Sequence, residues 1–262
     1  MLNRKLMKNY LLLITILALI TGCSEQKKAE IASETENETI ETSGFNPENS
    51  DPEAVGLADK VIAAHGGTEA WNEKRYISWN FLGVRDLVWD KYTGLVRIDF
   101  PRAETQYIVN INEDSGRVKV KNELITDQDS LQKMITQAEQ IWVNDSYWLV
   151  FPFKLKDPGV RLKYIGGDTT LSGEKAEVIA LQFDSVGYTP QNKYMAYINP
   201  ETYLIMQWDY YQNASDSTAA FQQLWSDYKD FDGIKLAAGR ADRRLENIEV
   251  SNEIDTAVFE QF

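Results

Sequence analysis

The stretch DSLQKMITQAEQIWVNDSYWLVFPFKLKDPG, Asp129 to Gly159, decides how the rest of the chain is read. Asp129 with Gln132 three residues on forms a capping-box arrangement. Leu131, Met134, Ile135, Ala138, Ile141 and Trp142 then fall at helical spacing and form one continuous stripe. The run continues through Tyr147, Trp148 and Phe151, where large apolar side chains gather most densely, and Pro152 limits how far a helix can extend. A helix with such a stripe needs a surface to cover, and both flanks supply one.

Upstream, Asp51-Pro52-Glu53 opens a helix carrying Leu57, Ala58, Val61 and Ile62, and Gly66-Gly67 closes it. Period-two alternation follows: Ile77, Trp79 and Phe81 share a face, residues 87–89 and 95–100 flank a turn at Gly94, and Tyr107, Val109 and Ile111 lead to a strand over 117–124. Downstream, strands are expected over 160–165, 176–183, 193–198, 203–211, 219–228, 234–240 and 243–250, with Leu204, Met206, Trp208 and Tyr210 on one face. About eleven strands with no βαβ alternation predict a mainly β (α+β) domain over residues 51–262. Its expected form is an incomplete antiparallel β-barrel with an N-terminal helix and a central helical lid.

The formal charge of the chain is −13, which makes nucleic acid an unfavourable partner. One Cys and one His exclude an intrachain disulfide and leave no Cys/His cluster for zinc, and no cofactor motif is present. Arg4, Lys5 and Lys8 precede an apolar run from Tyr10 to Ile20, the layout of a secretory signal over residues 1–22. Leu19-Ile20-Thr21-Gly22-Cys23 resembles the bacterial lipobox, in which the Cys is acylated after cleavage. The alternative is an uncleaved anchor helix with a buried Cys. Residues 24–50 are polar and charged, a composition expected to stay disordered and to act as a linker of roughly 30 Å.

Three features together resemble the LolA/LolB superfamily of lipoprotein carriers, in particular a Bacteroidota branch of lipoproteins of unknown function. They are His65-Gly66-Gly67 followed by Trp71, the block Tyr147 to Gly159, and Asp227-Tyr228 before Asp232-Gly233-Ile234. The resemblance covers roughly residues 53–262. It implies an open antiparallel barrel whose concave apolar face is covered by helices and holds acyl chains. It also implies the envelope of a Gram-negative bacterium, most naturally the outer membrane, where the lipobox-like Leu19 to Cys23 would anchor the chain. The chain departs from the soluble carriers in its lipidation signal and its Trp-rich lid.

Ten aromatics are the candidates for lining an apolar cleft: Trp79, Phe81, Trp89, Tyr107 and Trp142, then Trp148, Phe151, Trp208, Tyr210 and Trp225. Their alternative is simply to fill the core. A dozen-carbon chain placed among them gains up to roughly 10 kcal/mol at about 0.8 kcal/mol per methylene. Lys154 and Lys156 are candidates for a rim that meets an anionic headgroup, or else part of a solvated turn with Asp157. Arg240, Arg243 and Arg244 are expected on an exposed strand, paired with Asp242 and Glu246. His65 at a helix end is expected to interact with the helix dipole as a cation. With no nucleophile elbow or metal motif, no catalytic residue is assigned.

The leading expectation is an envelope lipoprotein that binds a lipid or other amphiphile by sequestration or transfer, with residues 129–153 moving outward to admit it. The alternatives are a glycan- or protein-binding surface lipoprotein that uses exposed aromatics, and a hydrolase of an envelope polymer with unidentified carboxylates.

Overall fold

The computed structural model describes residues 44–184 and 187–262. The expected signal sequence, Cys23 and most of the expected linker lie outside them, but residues 44–50, expected to be disordered, are structured: Phe45 is buried against the second interior and Pro47–Asn49 form a 3₁₀ turn. Helix α1 spans Pro52–Ala64; the Asp51 carboxylate caps it by accepting the Glu53 amide at 3.0 Å, and Pro52 occupies its first turn. Gly66 ends it with φ +117°, and a Cβ there would lie 2.2 Å from the Gly233 carbonyl, so only glycine fits. Helix α2 follows at once over Gly67–Glu73.

Six strands come next: β1 Tyr76–Phe81, β2 Arg85–Asp90, β3 Leu95–Phe100, β4 Thr105–Asn110, β5 Ser115–Val120 and β6 Glu123–Leu124. Helix α3 runs from Gln128 to Val150 and continues as a 3₁₀ turn over Phe151–Lys154. The second strand series is β7 Val160–Thr169, β8 Lys175–Phe183, β9 Lys193–Ile198, β10 Ile205–Tyr211 and β11 Phe221–Leu224. The chain closes with β12 Ser226–Phe231, β13 Ile234–Arg240, β14 Arg243–Arg244, β15 Glu246–Ser251 and the short helix α4, Ala257–Glu260.

Every pairing is antiparallel, in three sheets ordered β15-β1-β2-β3-β4-β5-β6, β11-β10-β9-β8-β7 and β12-β13-β14. None closes into a barrel. The mainly β fold with an N-terminal helix and a central helix is the one expected. Among the described residues there are fifteen strands, and three of the expected runs each break in two. Lys121 and Asn122, at φ 49° and 66°, turn β5 into β6. The Trp225 amide bonds the Met206 carbonyl at 2.7 Å where the chain leaves the second sheet for the third. Leu245, bonded to the Ala238 carbonyl at 2.9 Å, separates β14 from β15. A register shift between Ile205 and Gln207 also alters the expected face of β10. Ile205 packs with Trp208 in one apolar cluster, while Met206 belongs to another.

The cap of α3 is Asp127, whose Oδ1 accepts the Ser130 amide at 2.9 Å, in place of the expected Asp129. Asp129 instead sits in the first turn, where a negative charge favours the helix dipole. Along its first half, α3 lays Ile135 and Ala138 on the first sheet beside Trp89, Ile98, Tyr107 and Val118. Helix α1 covers part of the second sheet, where Leu57 and Val61 join Leu162, Ile179 and Ile198. Trp148 packs against both clusters, so the end of α3 joins the two interiors.

Asp145, fully buried on α3, receives both arms of the Arg85 guanidinium from β2 at 2.6 and 2.5 Å. Burial pushes the Asp145 carboxyl up and the Arg85 fork pulls against it. This tie opposes the outward swing of residues 129–153 expected from the sequence, because it would strand a carboxylate and a guanidinium in a poorly solvated place. His65 also differs from expectation. It is buried, its Nδ1 donates to the Val61 carbonyl at 2.7 Å, and burial lowers it to about 4, so it is neutral and no partner for a dipole.

Two outcomes follow. Asp145→Ala is expected to lower stability by about 3–5 kcal/mol in urea denaturation, with the Arg85→Met/Asp145→Leu pair recovering most of the loss. For His65 the folded value lies below the unfolded value of 6.5, so its contribution is complete above pH 6.5 and fades as pH falls towards 4. Between pH 7.5 and pH 5 the wild type should therefore lose about 2 kcal/mol more than His65→Gln, read from urea midpoints at both pH values.

Candidate functional site

Where α3 passes from the first sheet to the second, the two surfaces do not close. A cleft of about 880 Å³ lies between the last three turns of α3 and the β8–β11 end of the second sheet. Trp142, Tyr147 and Trp148 line it from the helix. Phe183, Tyr194, Trp208, Tyr210 and Phe221 line it from the strands. Exposed Asn144 and Tyr188 stand among the lining residues, so the cleft reaches solvent without movement of α3.

The aromatic floor is ordered. Tyr194 and Trp208 stack with centroids 5.0 Å apart and planes 11° from parallel, and Trp148 meets Trp208 edge-on at 5.4 Å. Tyr147 packs on Tyr194 with ring centres 5.8 Å apart and planes 32° from parallel. Burial raises the phenols of Tyr147 and Tyr194 well above the ordinary tyrosine range, so both remain neutral hydroxyls. The indole N–H groups of Trp142 and Trp208 are buried and have no hydrogen-bond partner.

Of the residues singled out from sequence, Trp142, Trp148, Trp208, Tyr210 and Lys154 come together here. Trp79, Phe81, Trp89 and Tyr107 lie in the first interior, and Phe151 and Trp225 in the second. Lys154 stands 5.6 Å from the Trp142 ring centre, 5.4 Å from that of Tyr147 and 3.2 Å from the Asp157 carboxylate. Lys156 turns to Asp59 of α1 at 2.7 Å, outside the cleft. Tyr194 and Phe221 were not singled out. The alternation of Tyr194 with Ala196 and Ile198 is readable in the sequence; the register that sets Phe221 opposite Tyr210 is not.

Arg240 is the larger omission. The exposed strand expected for it is corrected: the side chain is fully buried, with the guanidinium 3.7 Å from the Trp225 ring centre. It donates to the carbonyls of Ala237 at 3.1 Å, Gly239 at 2.7 Å and Trp148. Burial lowers it to about 9. Arg244, in contrast, is half-exposed and pairs with Asp227 rather than Asp242 or Glu246. The residue four positions after Trp148 is Pro152, which has no N–H to offer its carbonyl, so Arg240 supplies a hydrogen bond that the helix cannot.

Among the described residues no group of His, Cys, Asp and Glu could hold a metal, and no helix is long and apolar enough to cross a membrane. No family model matches the chain, and no curated protein sequence matches it. Fifteen chains of solved structure do. One is a DUF1329 family protein from Desulfovibrio piger ATCC 29098, with TM-score 0.44 and 13% identity, covering 81% of this chain and 98% of that one. Another is an outer membrane lipoprotein-sorting protein domain from Vibrio parahaemolyticus, with TM-score 0.43 and 10% identity, covering 82% of this chain and 97% of that one.

Arg240→Ala is expected to destabilise the protein by about 3 kcal/mol or more, since it leaves buried carbonyls unpaired and a void against Trp225. Hydrogen exchange should show the amides of residues 145–150 losing protection before those of α1.

Proposed function

We propose that the chain is a lipid-anchored protein of the Gram-negative cell envelope that holds a lipid or other amphiphile in the cleft between α3 and the second sheet. It acts by sequestration or transfer, without covalent chemistry. The observation that carries this reading is the cleft itself. Its 880 Å³ falls within the roughly 300–1,000 Å³ of small-molecule sites, and its lining combines aromatic faces with a few polar groups. An acyl chain laid on Tyr194, Trp208 and Phe221 gains about 0.8 kcal/mol for each methylene withdrawn from water.

The lipobox at Leu19 to Cys23 supports attachment to a membrane, and the polar residues that follow would let the domain reach beyond the headgroups. The anchor keeps the protein at the bilayer from which an amphiphile is drawn. Entry then needs only the open side of the cleft, which suits a helix held in place by Asp145 and Arg240.

The test is equilibrium binding of a fluorescently labelled monoacylglycerol probe, together with native mass spectrometry of the purified protein for co-purifying acyl species. Trp208→Ala and Tyr194→Ala are each expected to weaken probe binding by about tenfold or more, the equivalent of removing a few buried methylene contacts. Tyr92→Ala, at an exposed ring away from the cleft, should leave it unchanged. Unaltered binding in both cleft variants would remove the assignment.

A further inference from the structure

Resting on that reading of the cleft, we infer that it selects amphiphiles whose headgroup carries no net charge. Among the described residues lining it, Lys154 and Asp157 are the only charged side chains. They neutralise each other at 3.2 Å. The Lys154 ammonium also faces the rings of Trp142 and Tyr147 at 5.6 and 5.4 Å, so its charge is already met on three sides. An anionic headgroup would have to displace Asp157 to reach it, and would then leave that carboxylate unpaired in the same cleft.

The rim adds to the bias. Tyr188, one of the lining residues, donates its hydroxyl to the Glu139 carboxylate of α3 at 2.5 Å, which places a further negative charge at the opening. The other polar lining groups are neutral. They include the hydroxyls of Ser146, Tyr147 and Tyr194, the Asn192 amide, and the unpartnered indole N–H groups of Trp142 and Trp208. Neutral donors and acceptors suit hydroxyl or amide headgroups. A zwitterionic headgroup fits as well, because its two ends can face Lys154 and Asp157 together without adding net charge.

The experiment compares three single-chain lipids with the same acyl group, each below its critical micelle concentration, by quenching of tryptophan fluorescence in the full chain. Lysophosphatidylethanolamine and monoacylglycerol are expected to bind alike, and lysophosphatidylglycerol about tenfold more weakly, the size of one partly screened charge contact. Asp157→Asn changes a side chain that is 38% exposed and frees Lys154, so it should bring the anionic lipid to within about threefold of the others. Lysophosphatidylglycerol binding the wild type as tightly as its neutral counterparts overturns the charge selection and leaves the amphiphile site standing. A tenfold gap that persists in Asp157→Asn also overturns the selection. Failure of all three lipids to bind overturns the reading of the cleft itself.

Discussion

A helix that ends inside a protein must have its last carbonyls satisfied there, and α3 is such a helix. Arg240 meets that constraint at Trp148 with a guanidinium that has no carboxylate among its partners, resting on Trp225 and held by the carbonyls of Ala237 and Gly239. A buried cation is costly, and the arrangement persists because the helix terminus offers partial negative charge and the indole offers its π face. Much else depends on this contact. It sets the depth at which α3 stops, and so where Trp148 and Phe151 enter the aromatic layer of Trp208 and Trp225.

The two interiors differ because α3 treats them differently. Over its first half it has a dry stripe and a wet back, and the stripe meets alternating strand residues that interlock with it. Past Asp145 no polar back remains. Tyr147, Trp148 and Phe151 point towards several neighbours at once, and they meet rings rather than branched aliphatic chains. Edge-to-face and tilted contacts at 5.4–6.1 Å hold these rings in place. Where rings face each other across a helix that cannot come closer, a cleft remains. Asp145 and Arg240 together keep that spacing from collapsing or opening.

The fold was legible in the residues because its signals are local. Asp51-Pro52, the stripe from Leu131 to Trp142, and the alternation in the strands each depend on neighbours a few positions away. Half of the candidate site was legible on the same grounds, since Trp142, Trp148, Trp208 and Tyr210 are large, apolar and on the expected elements. Trp79 and Trp208 look alike in sequence and both are buried in an interior, yet only Trp208 also borders the cleft, and only the positions of the sheets separate them. Arg240 was misplaced for a comparable reason. Beside Arg243, Arg244 and Asp242 it has the surroundings of an exposed strand, and nothing nearby signals that a helix ninety residues earlier ends against it.

The sequence by itself determined the class of fold, the helix that divides it and the acidic balance. These rest on composition and short-range periodicity, which a chain carries whether folded or not. Only the tertiary structure decided which aromatics surround a space and which fill one, that His65 is neutral and Arg240 buried, and that Lys154 meets Asp157 inside the cleft. Those properties belong to pairs of groups far apart in the chain. Their burial and charge state exist only once the sheets and α3 have set the distance between them.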